Sequence, residues 1–136
     1  MSESYDVPFD YFYTKDHEWI RTKSGSYLIG ITDYAAKMLN DIVYVNLPKE
    51  GAVLKQKDVF GQVESVKTVS DMYMPVSGTV IKTNNQLTQT PELVANSPYV
   101  DGWMLEITSE KFSEESHELL DSKAYNDFIT TLKDTQ

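Results

Sequence analysis

Two stretches of this chain, Pro48-Lys49-Glu50-Gly51-Ala52-Val53 and Pro75-Val76-Ser77-Gly78-Thr79-Val80, share the pattern Pro-x-x-Gly-x-Val. Proline has no N–H to give to a ladder, so each copy predicts the end of a strand. The glycine is free to take positive φ and turn the chain, and the β-branched valine restarts an extended run. A duplicated strand-turn-strand unit implies two similar β layers facing each other.

Short runs of strand formers separated by turns fill most of the remaining sequence. Ser26 to Ile31 carries Tyr27, Leu28, Ile29 and Ile31 and stops at the turn-prone Thr32-Asp33. Ile42 to Leu47 is β-branched and aromatic and ends at Pro48, and Val59 to Val66 sets Val59, Gly61 and Val63 on one face. Gly78 to Thr83 and Trp103 to Thr108 complete the predicted strands. Thr32 is placed to cap a short helix from Asp33 to Leu39, with Asn40 as its left-handed stop. Beyond Ser113, Tyr125, Phe128, Ile129 and Leu132 fall at i, i+3, i+4 and i+7, the apolar stripe of a helix laid against the β core. The expected fold is therefore mainly β, a single domain over 1–136, with a β core over about 12–108 and a helical segment over about 113–133. Trp19 and Trp103 are both expected in the core.

Composition narrows the function classes. At 40% hydrophobic and 24% charged residues the chain is ordinary for a globular protein. No apolar run approaches the ~18 residues of a membrane helix, and the acidic opening from Met1 to Asp10 has the character of neither a signal nor a transit peptide. With no cysteine, disulfides, thiolate catalysis and Cys-held metals are excluded. The formal net charge of −9 disfavours nucleic acid and anionic membrane and suits basic docking faces on other proteins. The only histidines, His17 and His117, lack zinc spacing, and Ser65 and Ser70 lack the glycines of a nucleophile elbow. His17-Glu18 reads as part of a packed turn.

One lysine stands out by position. In Glu64-Ser65-Val66-Lys67-Thr68-Val69-Ser70-Asp71 strand formers flank Lys67 on both sides, with no Gly, Pro or Asn to mark a tight turn. A hairpin with its tip at Val66-Lys67-Thr68 projects one amine into solvent while its neighbours stay paired. Free, that amine is a solvated cation; acylated, it is a long neutral tether.

The same segment, followed by Met74-Pro75-Val76-Ser77-Gly78, resembles the lipoyl-attachment segment of the glycine cleavage system H protein family. Tyr13-Thr14-Lys15-Asp16-His17-Glu18-Trp19 resembles that family's His-Glu-Trp motif, Ile29-Gly30-Ile31-Thr32-Asp33-Tyr34-Ala35 its strand-to-helix corner, and Asp41-Ile42-Val43-Tyr44-Val45 its next strand. Pro91-Glu92-Leu93-Val94, Ser97-Pro98-Tyr99 and Gly102-Trp103 keep the family's order downstream. Asn40 departs from a usual Gly, and Met74 replaces a small polar residue on what is expected to be the surface beside the arm. A biotinyl carrier normally has Met on either side of its lysine, and a 2-oxoacid dehydrogenase lipoyl domain an Asp-Lys-Ala tip; Val66 and Thr68 fit neither.

The resemblance implies a barrel-sandwich hybrid, two small β-sheets related by a pseudo-two-fold, with a short helix and a C-terminal helix. It implies a carrier and not an enzyme, with lipoic acid in amide linkage on Lys67, put there by a lipoate ligase or lipoyl transferase. The arm would take an aminomethyl group from a pyridoxal-phosphate (PLP) glycine decarboxylase and pass the one-carbon unit to a tetrahydrofolate-dependent aminomethyltransferase. A flavin (FAD) dihydrolipoamide dehydrogenase would then reoxidise it. The family's arm cleft maps onto Glu18, Ile31 and Asp71, two carboxylates for the amine and an apolar wall for the chain. The compartment implied is the cytoplasm in bacteria and the mitochondrial matrix in eukaryotes.

Overall fold

The computed structural model describes residues 4–134. Strands β1 (Phe12–Tyr13), β2 (Glu18–Lys23) and β3 (Ser26–Ile31) precede helix α1 (Asp33–Leu39), and β4 (Ile42–Asn46), β5 (Val53–Leu54), β6 (Val59–Ser65), β7 (Val69–Tyr73) and β8 (Gly78–Thr83) follow it. Two single-turn helices, α2 (Gln86–Gln89) and α3 (Leu93–Asn96), lead to β9 (Leu105–Thr108). The chain ends in α4 (Phe112–Glu115), a 3₁₀ turn and α5 (Ser122–Asp134). The strands form two antiparallel sheets, β1-β2-β3-β9-β8-β5 and β4-β6-β7. Their facing sides enclose Ile20, Ile29, Val45, Phe60, Val63, Met72, Val80 and Ile107.

Local signals set most of these elements. Thr32 accepts from the Ala35 N–H at 3.2 Å and starts α1, and Asn40 stops it at φ 55°. Its ψ of 150° takes the chain straight into β4, outside the left-handed helical region. Tyr125 and Ile129 of the C-terminal stripe are buried in a second, largely aromatic cluster with Tyr13, Trp19, Tyr34 and Tyr99, and Phe128 and Leu132 flank it.

Four expectations are corrected. The duplicated Pro-x-x-Gly-x-Val units do not build two matching layers; they pair with each other inside the larger sheet, Val53 opposite Thr79 and Leu54 opposite Gly78. Only Gly51 uses positive φ, at 91°. Gly78 is needed for space, because a Cβ there would lie 2.4 Å from the Thr108 carbonyl oxygen. Val59 does not share a buried face with Gly61 and Val63: a bulge between Val59 and Gly61 turns Phe60 into the core and leaves Val59 exposed. Trp103 is half-buried, on the loop entering β9 where its carbonyl accepts from Asn84 Nδ2 at 2.8 Å, whereas Trp19 is fully buried.

Candidate functional site

The β6–β7 hairpin has Val66-Lys67-Thr68 at its tip, and Ser65 explains how it turns without glycine or proline. The Ser65 N–H donates to the Thr68 carbonyl at 2.8 Å, closing the ladder. Its Oγ accepts from the Lys67 and Thr68 N–H groups, each at 3.2 Å, and donates to the Thr68 carbonyl at 3.3 Å. A serine hydroxyl thereby ties its own backbone turn. The Val66 N–H donates to the Asp41 carbonyl at 3.2 Å, fastening the tip to the start of β4. Lys67 is exposed, and among the described residues its ammonium has no ion-pair or hydrogen-bond partner. Ser65 was legible only as a strand end; a serine two and three residues ahead of the N–H groups it captures was the missed signal.

At the other end of β7 lies Glu18. Thr14 builds its turn: the Thr14 Oγ1 accepts from the Asp16 N–H at 3.2 Å and the Glu18 N–H at 3.1 Å, and donates to Glu18 Oε1. His17 completes the turn at φ 73°. Glu18 Oε2 accepts from the Tyr73 N–H at 3.2 Å. The carboxylate is 1% exposed, yet no cation pairs with it among the described residues. Burial pushes its pKa up to about 7, against the pull of the Thr14 and Tyr73 hydrogen bonds.

Glu18 faces a cleft of 300 Å³ whose walls include Thr14, Gln56, Tyr73 and Met74. Lys57 and Glu118, also in its lining, pair at 3.7 Å. Met74 is buried here, not on the surface as its sequence position suggested. Ile31 is buried directly across the β2–β3 ladder from Glu18, outside the cleft lining. Asp71 is exposed on β7, where Oδ1 accepts from Gln62 Nε2 at 3.3 Å, and it too stands outside that lining. The structure thus sets Glu18 and Ile31 side by side and Asp71 two residues before Tyr73 on the strand leading back to Lys67.

The residues flanking Glu18 hold its turn in place. His17 Nδ1 meets the Tyr125 hydroxyl at 2.8 Å, and that hydroxyl meets Thr32 Oγ1 at 2.7 Å, so α5, the β2 turn and the α1 cap share one buried knot. Burial lowers the His17 pKa and favours the neutral ring. Trp19 Nε1 donates to the Pro98 carbonyl at 3.0 Å. His17 is a packing residue, as its sequence context indicated.

A hairpin presenting one unpaired lysine, a His-Glu-Trp turn beside a cleft and a packed C-terminal helix stand together in this chain. The family model described as glycine cleavage H-protein matches residues 11–132. The chain belongs to the glycine cleavage H-protein family. It is 50% identical over 120 residues to the glycine cleavage system H protein of Salinibacter ruber, covering 88% of this chain and 96% of that one. It is 45% identical over 129 residues to a probable glycine cleavage system H protein of Pyrococcus furiosus, covering 94% and 96%. The crystal structure of a glycine cleavage system H protein from Mycobacterium marinum superposes with a TM-score of 0.80 at 35% identity, over 88% of this chain and 95% of that one. The family's members are lipoyl carriers, components of a multienzyme system and not catalysts. Among the described residues no helix is long and apolar enough to cross a membrane.

Proposed function

We propose that Lys67 carries a lipoyl group in amide linkage and that Glu18, Asp71 and Ile31 receive the loaded arm. The observation that carries this reading is the exposed Lys67 amine on a tip locked by Ser65, its ammonium without an ion-pair or hydrogen-bond partner among the described residues. Held in amide linkage on Lys67, lipoate would supply a dithiolane able to accept an aminomethyl unit at a PLP-dependent glycine decarboxylase, to give up the one-carbon unit with release of ammonia at a tetrahydrofolate-dependent aminomethyltransferase, and to be returned from dithiol to disulfide by an FAD-dependent dihydrolipoamide dehydrogenase.

The chain's own residues supply position, shelter and charge. The Ser65 lock keeps the Lys67 amine clear of the sheet for a lipoate ligase or lipoyl transferase. Glu18, a buried carboxylate with two donors and no cation, offers an acceptor to an ammonium entering the cleft. Asp71 adds a second carboxylate on β7, two residues before Tyr73, and Ile31 backs Glu18 with an apolar wall. The net charge of −9 suits basic faces on each partner.

Lipoate ligase with ATP and lipoate is expected to modify Lys67 alone, read by intact mass and peptide mapping. Lys67→Arg is expected to fold normally and to be silent in glycine decarboxylation, since its guanidinium is not acylated. A lipoyl group mapped to Lys57 or Lys82 would refute the assignment, and efficient modification by biotin protein ligase would move the function to carboxyl transfer.

A further inference from the structure

A second groove, of about 500 Å³, lies against the hairpin tip, and its lining includes Asp41, Ile42, Val43, Val66, Glu92 and Ala95. It shares no lining residue with the Glu18 cleft. Three features build it. The register of β4 against β6 shifts between Ile42 and Tyr44, so Val43 and Tyr44 are exposed in succession where alternation would bury one of them. The Val66 N–H, bonded to the Asp41 carbonyl, sets Val66 beside the start of β4. Val94, fully buried in the core, roots α3 and with it the wall that Glu92 and Ala95 supply. Val43 is left 55% and Val66 71% exposed. Asp41 and Glu92 are exposed carboxylates with no ion pair among the described residues. Apolar surface kept in water and rimmed by charge marks a protein contact.

Resting on the reading of Lys67 as the acylated lysine, we propose that this groove docks the enzyme that forms the amide, a lipoate ligase. The ligase fills it with an apolar side chain flanked by basic residues. Reach separates this partner from the others. In the acylation the Lys67 amine attacks a lipoyl carboxyl carbon activated with ATP. The C–N bond forms, the bond to the phosphate leaving group breaks, and the amine gives up a proton. That carbon must come within about 3–3.5 Å of Nζ, which stands about 6 Å from its own Cα. The Cα of Val66 is only about 3.8 Å further along the chain, so an enzyme in reach of the amine lies against the groove. Enzymes that act on the far end of the arm, roughly 14 Å out, have no such need to touch the tip.

Charge selects the same occupant. The two unpaired carboxylates favour lysine or arginine on the approaching face and repel a like-charged one. A second copy of this chain, at net charge −9, brings the wrong sign. The groove is also fixed relative to the amine, because the Asp41–Val66 bond and the Ser65 lock join its floor to the tip. A docked ligase therefore finds Lys67 at one position, which is the value of pre-organisation in binding.

The test uses the full-length chain with purified lipoate ligase, lipoate and ATP, and reads initial rates over a range of chain concentrations. Peptide mapping of the wild-type product comes first; a lipoyl group absent from Lys67 overturns that reading and this proposal with it. Val43→Ser and Glu92→Lys lie outside the hairpin, so neither alters the acceptor segment itself. Each is expected to raise KM for the chain roughly tenfold and to leave kcat nearly unchanged. The Glu92→Lys defect is expected to shrink as salt is added, which a merely structural change would not do. Val53→Ser, at an equally exposed valine on β5, is expected to behave as wild type. Unchanged KM in both groove variants, with Lys67 acylated, overturns the groove proposal alone, as does a loss confined to kcat or an equal loss in Val53→Ser. Once lipoylated, the groove variants are assayed with glycine decarboxylase; an equal rise in KM there overturns the assignment to the ligase. A dimer seen by sedimentation in wild type and abolished in Val43→Ser assigns the groove to a second copy and overturns it too.

Discussion

Glu18→Gln separates the charge of the buried carboxylate from its shape. Burial raises the folded-state pKa from 4.5 to about 7. Between those values the folded chain holds a proton that the unfolded chain has released, so wild-type stability falls as pH rises through the window. The difference of about 2.5 units, at about 1.4 kcal/mol each, makes a penalty of about 3 kcal/mol, fully developed above pH 7 and absent below pH 4.5. Glutamine carries no such penalty. Its single carbonyl oxygen satisfies the Tyr73 N–H, and its amide must crowd Thr14 Oγ1, which already accepts two N–H groups; this costs about 1 kcal/mol.

The variant is therefore expected to be about 1 kcal/mol less stable than wild type near pH 4.5 and about 2 kcal/mol more stable near pH 8.5. Urea unfolding followed by tryptophan fluorescence at a series of pH values measures both curves. The lowered pKa of His17 works in the opposite sense, removing stability as pH falls, but it is common to both proteins and cancels in the difference. Parallel curves would mean that Glu18 is ionised in the fold without penalty, and the case for a carboxylate awaiting a cation would fail. In the loaded protein the same substitution is expected to speed loss of the one-carbon amine to water roughly tenfold above pH 7, the value of a charge-assisted hydrogen bond.

Two further substitutions test the tip and the core. Ser65→Ala removes the hydroxyl that ties Lys67 and Thr68, and is expected to cost about 1–2 kcal/mol and to slow lipoylation of Lys67 by ligase several-fold, both measurable on the purified chain. Trp19→Ala is expected to cost about 3–5 kcal/mol in denaturant unfolding and Trp103→Ala clearly less, because Trp103 is half-exposed; equal losses would contradict the packing described.

Those parts of the fold that depend on local chemistry were legible in the sequence. Strands β3 and β8 have the predicted bounds, and α1 starts at its threonine cap, because alternation and capping are properties of neighbouring residues. Long-range choices were hidden. Nothing in Pro-x-x-Gly-x-Val says that its two copies will pair with each other, nor does Val59-Phe60-Gly61 announce a bulge. The single-turn helices α2 and α3 have no side-chain cap to read. The exposed hairpin tip at Lys67 was legible from its flanking strand formers. The burial of Glu18 was not, because Glu18, Trp19 and Ile20 are all buried in succession at the start of β2, where alternation would expose every second residue.

The distance between Lys67 and Glu18 is set by a single strand whose register is locked at both ends. At the tip Ser65 fixes which residues turn; at the other end the Met74 N–H donates to the Asp58 carbonyl and the Lys57 N–H to the Met74 carbonyl, each at 2.8 Å. Between them Met72 is buried and Asp71 exposed. A slip of one residue would drive Asp71 into the core and Met72 into water, at a cost of several kcal/mol for the unpaired charge alone. The bulge at Phe60 absorbs the mismatch on β6, so the extra residue leaves β7 regular. The hydrophobic core therefore holds the span from the lysine to the cleft constant. An arm attached at Lys67 would find the cleft of Glu18 at a fixed distance along β7.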